Sequence, residues 1–464
     1  MAAKTKVAEK RAPLETVREA DENLRLPAIV PPVTYPLETL VPQVRLQTPA
    51  VGQRATRPDG RLHGLGQTRY IDDLTFPGML YAKIKRAGVS SARIKSIDTR
   101  EAEAMPGVMA VLTGREIPVN SFGPSLKDQP VLADTQVFHA GDGVAAVAAV
   151  TEQIALEALD KIKVEYEILP AVYDPVEAMK DDAHKVHAPN GNIYATKVIR
   201  KGDIEKGFAA SDHIFEGRFC TQMVEHVPLE PHATIALWDA NGRVTIHSTL
   251  GRITLGRADI SRTLKLPLNR IRIVATIVGG NFGGKNEITQ EPVLALLSKK
   301  TGRPVKGTFT RTEEFIATTT RHPIIMDFKT GVSKDGKILA RKVRLVLDGG
   351  AYCSWSETTL GKACILSAGP YNIDHLLAEA FVVYTNKTMT GAMRGFGAPQ
   401  VCFAYESQMD DIAAALNIDP LDIRLLNAFE EGSPSPTGQV LHSVVLKDSL
   451  LQAAQRFGWK EPRQ

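Results

Sequence analysis

At 464 residues the chain is long enough for two or three domains with proper hydrophobic cores, and 43% hydrophobic with 23% charged residues is an ordinary globular composition. A formal charge of +4, from 56 basic and 52 acidic side chains, is too small to argue for nucleic acid or an anionic membrane as partner. No apolar run approaches the roughly 20 residues of a membrane span. The four scattered cysteines (Cys220, Cys353, Cys364, Cys402) contain no C-x-x-C, so neither a disulfide framework nor an iron–sulfur ligand set is expected.

The first 50 residues are polar, then punctuated by Pro27, Pro31, Pro32, Pro36 and Pro42, which rules out a regular element. An extended tail is expected, either free or lying on a partner through Leu26, Ile29, Val30 and Tyr35. It has no apolar h-region, so a signal or transit peptide is not expected and a cytoplasmic location is the default.

Residues 51–179 carry mixed α/β signals. GMLYAKIKRA (78–87) and GVMAVLTG (107–114) read as strands. TEQIALEALDKIKVEYEIL (151–169) opens with Thr151 as N-cap, places Ile154, Ala155, Ala158 and Leu159 on one helical face, then alternates as a strand. One compact domain is expected here, followed by a linker over 180–193. From 194 to 464 the expected strands include DHIFEGRF, the hairpin ATIALWDANGRVTIHS, RIRIVATIV, PVKGTFT, IIMDFKTGV and ARKVRLVLDGG. Helices are expected at ITLGRADISRTLKL, EPVLALLSKKTG and QVCFAYESQMDDIAAAL. Strand and helix alternate without a period, which indicates an α+β or mixed α/β domain rather than a doubly wound parallel sheet.

Between RIRIVATIV and EPVLALLSKK lies GGNFGGKNE (279–287), which fits G-x-x-x-x-G-K. A phosphate-binding loop needs Ser or Thr after the lysine to ligate magnesium, and Asn286 stands there. Phe282 also crowds the place of a phosphate nest, so a nucleotide-binding protein is the weaker alternative. A structural turn without ligand stays open. A second run, GAMRGFGAPQ (391–400), changes the balance. Two glycine loops, each presenting a phenylalanine, suit two walls of one site for a flat heterocycle.

GGNFGGK, AMRGFGAPQ, DGRLHGLGQTRYIDDLTFPGMLYAKIKRAGVSSARIKSID (59–98) and LEPHATIALWDANGRVTIHST (229–249) together resemble the molybdopterin-binding subunit of the xanthine dehydrogenase and aldehyde oxidase family. The resemblance implies a hammerhead-type α/β domain over 51–179 and a first molybdopterin-binding domain over 194–464. It implies a molybdenum ion carried by a pterin, usually as the cytosine dinucleotide in bacterial members, with no protein ligand to the metal. Phe282, Gly283 and the Arg394 backbone would lie beside the cofactor, with Gly251 near it, and Phe396 would pack on the substrate ring. Family members hydroxylate an electron-poor carbon of an N-heterocycle or aldehyde with oxygen from water. A glutamate serves as base, and electrons leave through [2Fe–2S] clusters and usually FAD.

Several departures qualify what the resemblance implies. Where the family commonly has Ser-Thr-Gln, this chain has Ser248-Thr249-Leu250-Gly251, and a purine clamp of Glu and Arg is replaced by Asn286 and Lys362. Purines are therefore disfavoured, while Lys362 suits a substrate carboxylate, as in nicotinate. The catalytic glutamate belongs to a second molybdopterin domain, expected on a partner chain. Further partners implied are an iron–sulfur subunit, a FAD subunit and the small-molecule substrate. A non-catalytic scaffold of the same fold is the other alternative. Cys220, His226 and His232 around Glu230 lack a standard zinc spacing, and Arg321-His322-Pro323 reads as a structural pair.

Overall fold

The computed structural model describes residues 56–461. The proline-rich tail expected over residues 1–50 lies outside them. Residues 56–66 belong to a separate compact unit and contain a short helix, Gly60–Gly64. Residues from 67 onward form the other unit, which carries everything discussed below.

A seven-stranded sheet runs in the order Ile271–Ala275, Val244–Ser248, Ala233–Trp238, Val305–Thr308, Leu80–Arg86, Gly143–Ala149, Val108–Thr113. Its last three strands come from the region expected to be a separate domain, and its first four from the next. The seam is the parallel pairing of Leu80 with Val305 and Tyr81 with Lys306. The boundary expected near 180–193 therefore separates two stretches of sequence but not two cores. Leu80, Ile84, Leu112, Ile246, Leu294 and Val305 pack in one apolar cluster.

The strand GVAAVAA shows why the sheet can be covered on both faces. Ala146 and Ala148 point into that shared core beneath the helix Glu291–Thr301, whereas Ala145 and Val147 meet Ala102, Ala158 and Ile162 on the opposite face. Successive side chains alternate faces, so a strand buried on both reads as one apolar run. The helix Glu152–Lys161 is capped by the Thr151 hydroxyl, which accepts from the Ile154 amide at 3.2 Å, and buries Ala155 and Ala158.

A five-stranded sheet follows the order Ile193–Lys201, His375–Tyr384, Ile338–Gly350, Ile324–Val332, His213–Cys220. The helices Ser356–Leu366 and Ala398–Leu416 close one face of it, through Leu360, Ala363, Val401 and Ala404. A small third sheet joins Gln136–Val137, Ala92–Asp98 and Lys163–Ile168. The expected linker is packed rather than loose. Buried Asn192 receives the Val186 amide at 2.8 Å and donates to the Ala178 and His184 carbonyls at 3.0 and 2.8 Å. Polar ties complete the joint: the Tyr352 hydroxyl donates to Asp142, and Asp128 accepts from the Cys353 amide at 2.8 Å and from Tyr384 at 2.7 Å.

Enlarging Ala146 to leucine inserts methylenes into this two-sided core. Ala146→Leu is expected to lower stability by about 1–3 kcal/mol, read as a lower urea midpoint; an unchanged midpoint contradicts close packing on the face beneath the helix Glu291–Thr301.

Candidate cofactor-binding site

The two glycine runs arrive from different sheets. The first leaves the edge strand Ile271–Ala275, makes a 3-10 turn at Gly284–Asn286 and enters the helix Glu291–Thr301. The second follows the five-stranded sheet and leads into the helix Ala398–Leu416. They meet directly: the Arg394 amide donates to the Phe282 carbonyl at 2.8 Å. Gly283, with φ at 109°, lies so close that a Cβ there would collide with the Ala392 carbonyl. Only glycine combines that left-handed backbone with that approach.

Side chains from both loops and their surroundings pin the pair, His226 and His232 among them buried. His226 donates through Nε2 to the Ala392 carbonyl at 2.8 Å while its ring lies against Gly284. Burial lowers its pKa, which keeps the imidazole neutral with that single donor. Arg321 reaches the Arg394 carbonyl at 3.0 Å and Gln400 Oε1 at 3.2 Å. The Asn281 side chain accepts from the amides of Gly283 and Lys285 at 2.8 and 3.3 Å, fixing the first loop from within. His232 faces Glu314 through Nδ1 at 2.9 Å and the Gly284 carbonyl through Nε2 at 3.3 Å. Burial would raise the Glu314 carboxyl, but hydrogen bonds from His232 hold it below its ordinary value.

Lys285 decides the nucleotide question. It is fully buried, and its ammonium donates to the Glu230 carbonyl at 2.7 Å and to Glu230 Oε2 at 3.2 Å. Glu230 Oε2 also receives the Gly279 amide at 2.7 Å. The lysine that a phosphate loop would turn toward its ligand is here an internal strut, so the nucleotide-binding alternative is excluded.

Phe282, Gly283, Arg394 and Phe396 are thus brought together. Phe282 is 47% exposed with φ at 52°, and Phe396 is half-buried with φ at 49°. Gly251 stands behind the first loop, its amide donating to the Lys285 carbonyl at 2.6 Å. Asn286 ends the 3-10 turn and is half-buried. Lys362 is exposed on the helix Ser356–Leu366, which packs on Gly397 through Ala363. The Arg394 amide is engaged by the Phe282 carbonyl, so the Arg394 carbonyl, held by Arg321, is the other polar group this residue's backbone presents at the junction. Beside that junction the amides of Phe282 and Gly395 make no hydrogen bond among the described residues. His226, Arg321 and Asn281 were not singled out as site residues by sequence. His226 and Arg321 lie in HVPLE and RHP, whose chemistry is visible only once the loops are apposed. His322 is the structural residue expected: Nε2 meets Ser356 Oγ at 2.7 Å, and burial pushes its pKa down to about 3. No cluster of three or more metal-ligating side chains exists among the described residues; His226 and His232 instead engage the Ala392 carbonyl and Glu314.

This arrangement fits a flat group held by backbone. It offers two free amides, an exposed aromatic ring, a glycine that lets the chain come close, and orphaned buried polar atoms at His226 Nδ1, Glu287 Oε2 and Trp355 Nε1. Such orphans are rare and call for a partner.

Two family descriptions match the chain: the a/b hammerhead domain of aldehyde oxidase and xanthine dehydrogenase over residues 65–170, and the molybdopterin cofactor-binding domain over residues 184–428. The nicotinate dehydrogenase large molybdopterin subunit of Eubacterium barkeri is 37% identical over 88% of this chain and 96% of its own length. The xanthine dehydrogenase molybdenum-binding subunit of Escherichia coli is 34% identical over 86% of this chain but 54% of its own. The aldehyde oxidoreductase of Desulfovibrio gigas superposes with a TM-score of 0.83 at 33% identity, covering 89% of this chain and 48% of that one. The chain therefore belongs to the xanthine dehydrogenase and aldehyde oxidase family of oxidoreductases and carries its molybdopterin-binding fold. It spans nearly all of the nicotinate dehydrogenase subunit and about half of the other two.

Glu287, directly after the first loop, accepts from Ser354 through Oε1, and burial raises its pKa from 4.5 to about 7. A carboxyl raised in the folded state favours folding below its ordinary value and loses that contribution as pH rises through about 7. The thermal midpoint is expected to fall between pH 5 and pH 8, and Glu287→Gln should flatten that slope. A slope unchanged in the variant contradicts the assignment.

Proposed function

We propose that this chain is the large molybdopterin-binding subunit of a multi-subunit molybdenum hydroxylase acting on an N-heteroaromatic or aldehyde carbon. The observation that carries the reading is the joined pair of glycine loops, beside whose junction the amides of Phe282 and Gly395 make no hydrogen bond among the described residues. The near full-length likeness to a nicotinate dehydrogenase subunit supports it. A molybdenum–pterin bound there supplies the two-electron redox chemistry and the oxygen drawn from water.

The residues of this chain bind and orient. Phe282 and Gly395 donate backbone hydrogen bonds to the cofactor, Gly283 allows the close approach, and Gly251 supports the loop from behind. The Arg394 carbonyl is held by Arg321, which fixes the backbone beside the cofactor without using the Arg394 amide. Phe396 presents its ring to the substrate. Asn286 is uncharged, so it cannot act as the carboxylate half of a purine clamp, whereas exposed Lys362 suits a heteroaromatic carboxylate. None of the residues assigned here is a base for proton abstraction. That glutamate is assigned to a second molybdopterin chain. [2Fe–2S] and FAD subunits take the electrons, the cofactor is of the cytosine dinucleotide form, and the complex works in the cytoplasm. No helix among the described residues is long and apolar enough to cross a membrane.

The test is molybdenum and pterin analysis of the native complex together with its subunit composition. The reading predicts stoichiometric molybdenum, a cytosine-containing pterin and a second chain of the family. A metal-free, monomeric chain contradicts it.

A further inference from the structure

Three contacts close around the turn that ends the first glycine loop. The Gly251 amide holds the Lys285 carbonyl at 2.6 Å, and the Ser354 hydroxyl donates to Glu287. The next residue on each side completes the ring: the Arg252 guanidinium lies over the Trp355 ring, 4.4 Å from its centroid. The stack therefore stands beside Asn286, the residue between Lys285 and Glu287. Ser354 also reaches the start of the second loop, where a Cβ on Gly391 would sit 2.6 Å from its Oγ.

Arg252 has no task within the fold that requires a cation. It is exposed and its side chain makes no hydrogen bond or ion pair among the described residues, so its planar fork is oriented by Trp355 while its donors stay unused. It is also the N-cap of the helix Ile253–Leu264, where no side chain caps the amides and no acidic residue stands in the first turn. A cation at the positive end of a helix is unfavourable unless an anion offsets it. Trp355 precedes the helix Ser356–Leu366 without a side-chain cap of its own, and its Nε1 is buried without a partner. The neighbouring acids are engaged elsewhere: Glu287 accepts from Ser354, and Glu357 from Ser125. Lys362 stands two turns after Trp355 on the same side of that helix, about 10 Å along its axis.

We propose that Arg252, held by Trp355, binds the carboxylate of an aromatic substrate and sets a preference for anionic over neutral ring compounds. This inference rests on the proposed function and adds to it the residue that reads the substrate's charge. A guanidinium oriented beforehand by stacking offers a carboxylate two parallel hydrogen bonds, which a lysine ammonium cannot supply. The place of the stack favours a substrate: it stands beside Asn286, at the end of the loop whose Phe282 and Gly283 border the candidate cofactor site. Lys362 adds a second positive charge on the same side of the helix without fixing an orientation.

The test is isothermal titration of the native complex with nicotinate and with nicotinamide, which share a ring and differ in charge. The wild type is expected to bind nicotinate roughly tenfold or more tightly than nicotinamide, and Arg252→Gln to remove that preference. Arg252→Lys should recover part of it, because the charge returns without the fork. Arg272→Gln, a control at an exposed arginine on the edge strand Ile271–Ala275, should keep the wild-type preference. Absent nicotinate binding, equal binding of the two in the wild type, or a preference that survives Arg252→Gln overturns the inference and leaves the proposed function intact. Loss of pterin from Arg252→Gln complexes with the preference unchanged also overturns it, by giving Arg252 to a cofactor phosphate. An Arg252-dependent preference in a complex that contains no molybdenum keeps the carboxylate site and overturns the proposed function.

Discussion

One hydrogen bond organises this site: the Arg394 amide to the Phe282 carbonyl at 2.8 Å. It joins two loops that hang from different sheets, and it is possible only because Gly283 has no side chain to collide with Ala392. A single backbone hydrogen bond contributes only about 1 kcal/mol net, so it cannot hold two loops unaided. His226 on Ala392, Arg321 on Arg394 and Lys285 on Glu230 supply the remainder. His226 and Lys285 are buried and cannot be exchanged for water, which makes removing either of them costly. The scaffold behind them is correspondingly stiff. The seven-stranded sheet spans both family regions, with the hammerhead strand Leu80–Arg86 paired to Val305–Thr308, which follows the helix after the first loop.

Charge is used here for construction more than for chemistry. The lysine of GGNFGGK faces inward, and the arginine of MRGFG contributes its backbone to the loop junction. The groups left facing outward are amides, two phenylalanine rings, Asn286 and Lys362. Such a surface suits a flat, polar group bound by shape and backbone donors, which is the role given to it in the proposed function. Among the described residues no three metal-ligating side chains cluster, and in the proposed function the metal comes with the cofactor.

Much of this was legible in the sequence. The Thr151 cap, the Asn241-Gly242 hairpin and the helix after GGNFGGKNE each follow from local chemistry and are found where expected. The glycine loops were legible because glycine beside exposed phenylalanine has few other uses. What local pattern could not show was long-range pairing. The match of Leu80 with Val305 merges the two expected domains into one sheet, and no periodicity encodes it. The strand His375–Tyr384 was missed because LLAEA has helical propensity that its place between two strands overrides. The partners of Lys285 and of the Arg394 amide lie far away in sequence, so their direction was invisible until the loops met.

The central claim is that close apposition of the two loops builds the cofactor site. It is tested most directly by molybdenum content in complexes carrying Gly283→Ala, compared with wild type at equal subunit composition. A side chain at this left-handed position, against the Ala392 carbonyl, should separate the loops at a cost of roughly 1–3 kcal/mol, and molybdenum per complex should fall by about tenfold. Fully assembled Gly283→Ala complexes with undiminished molybdenum would contradict the account.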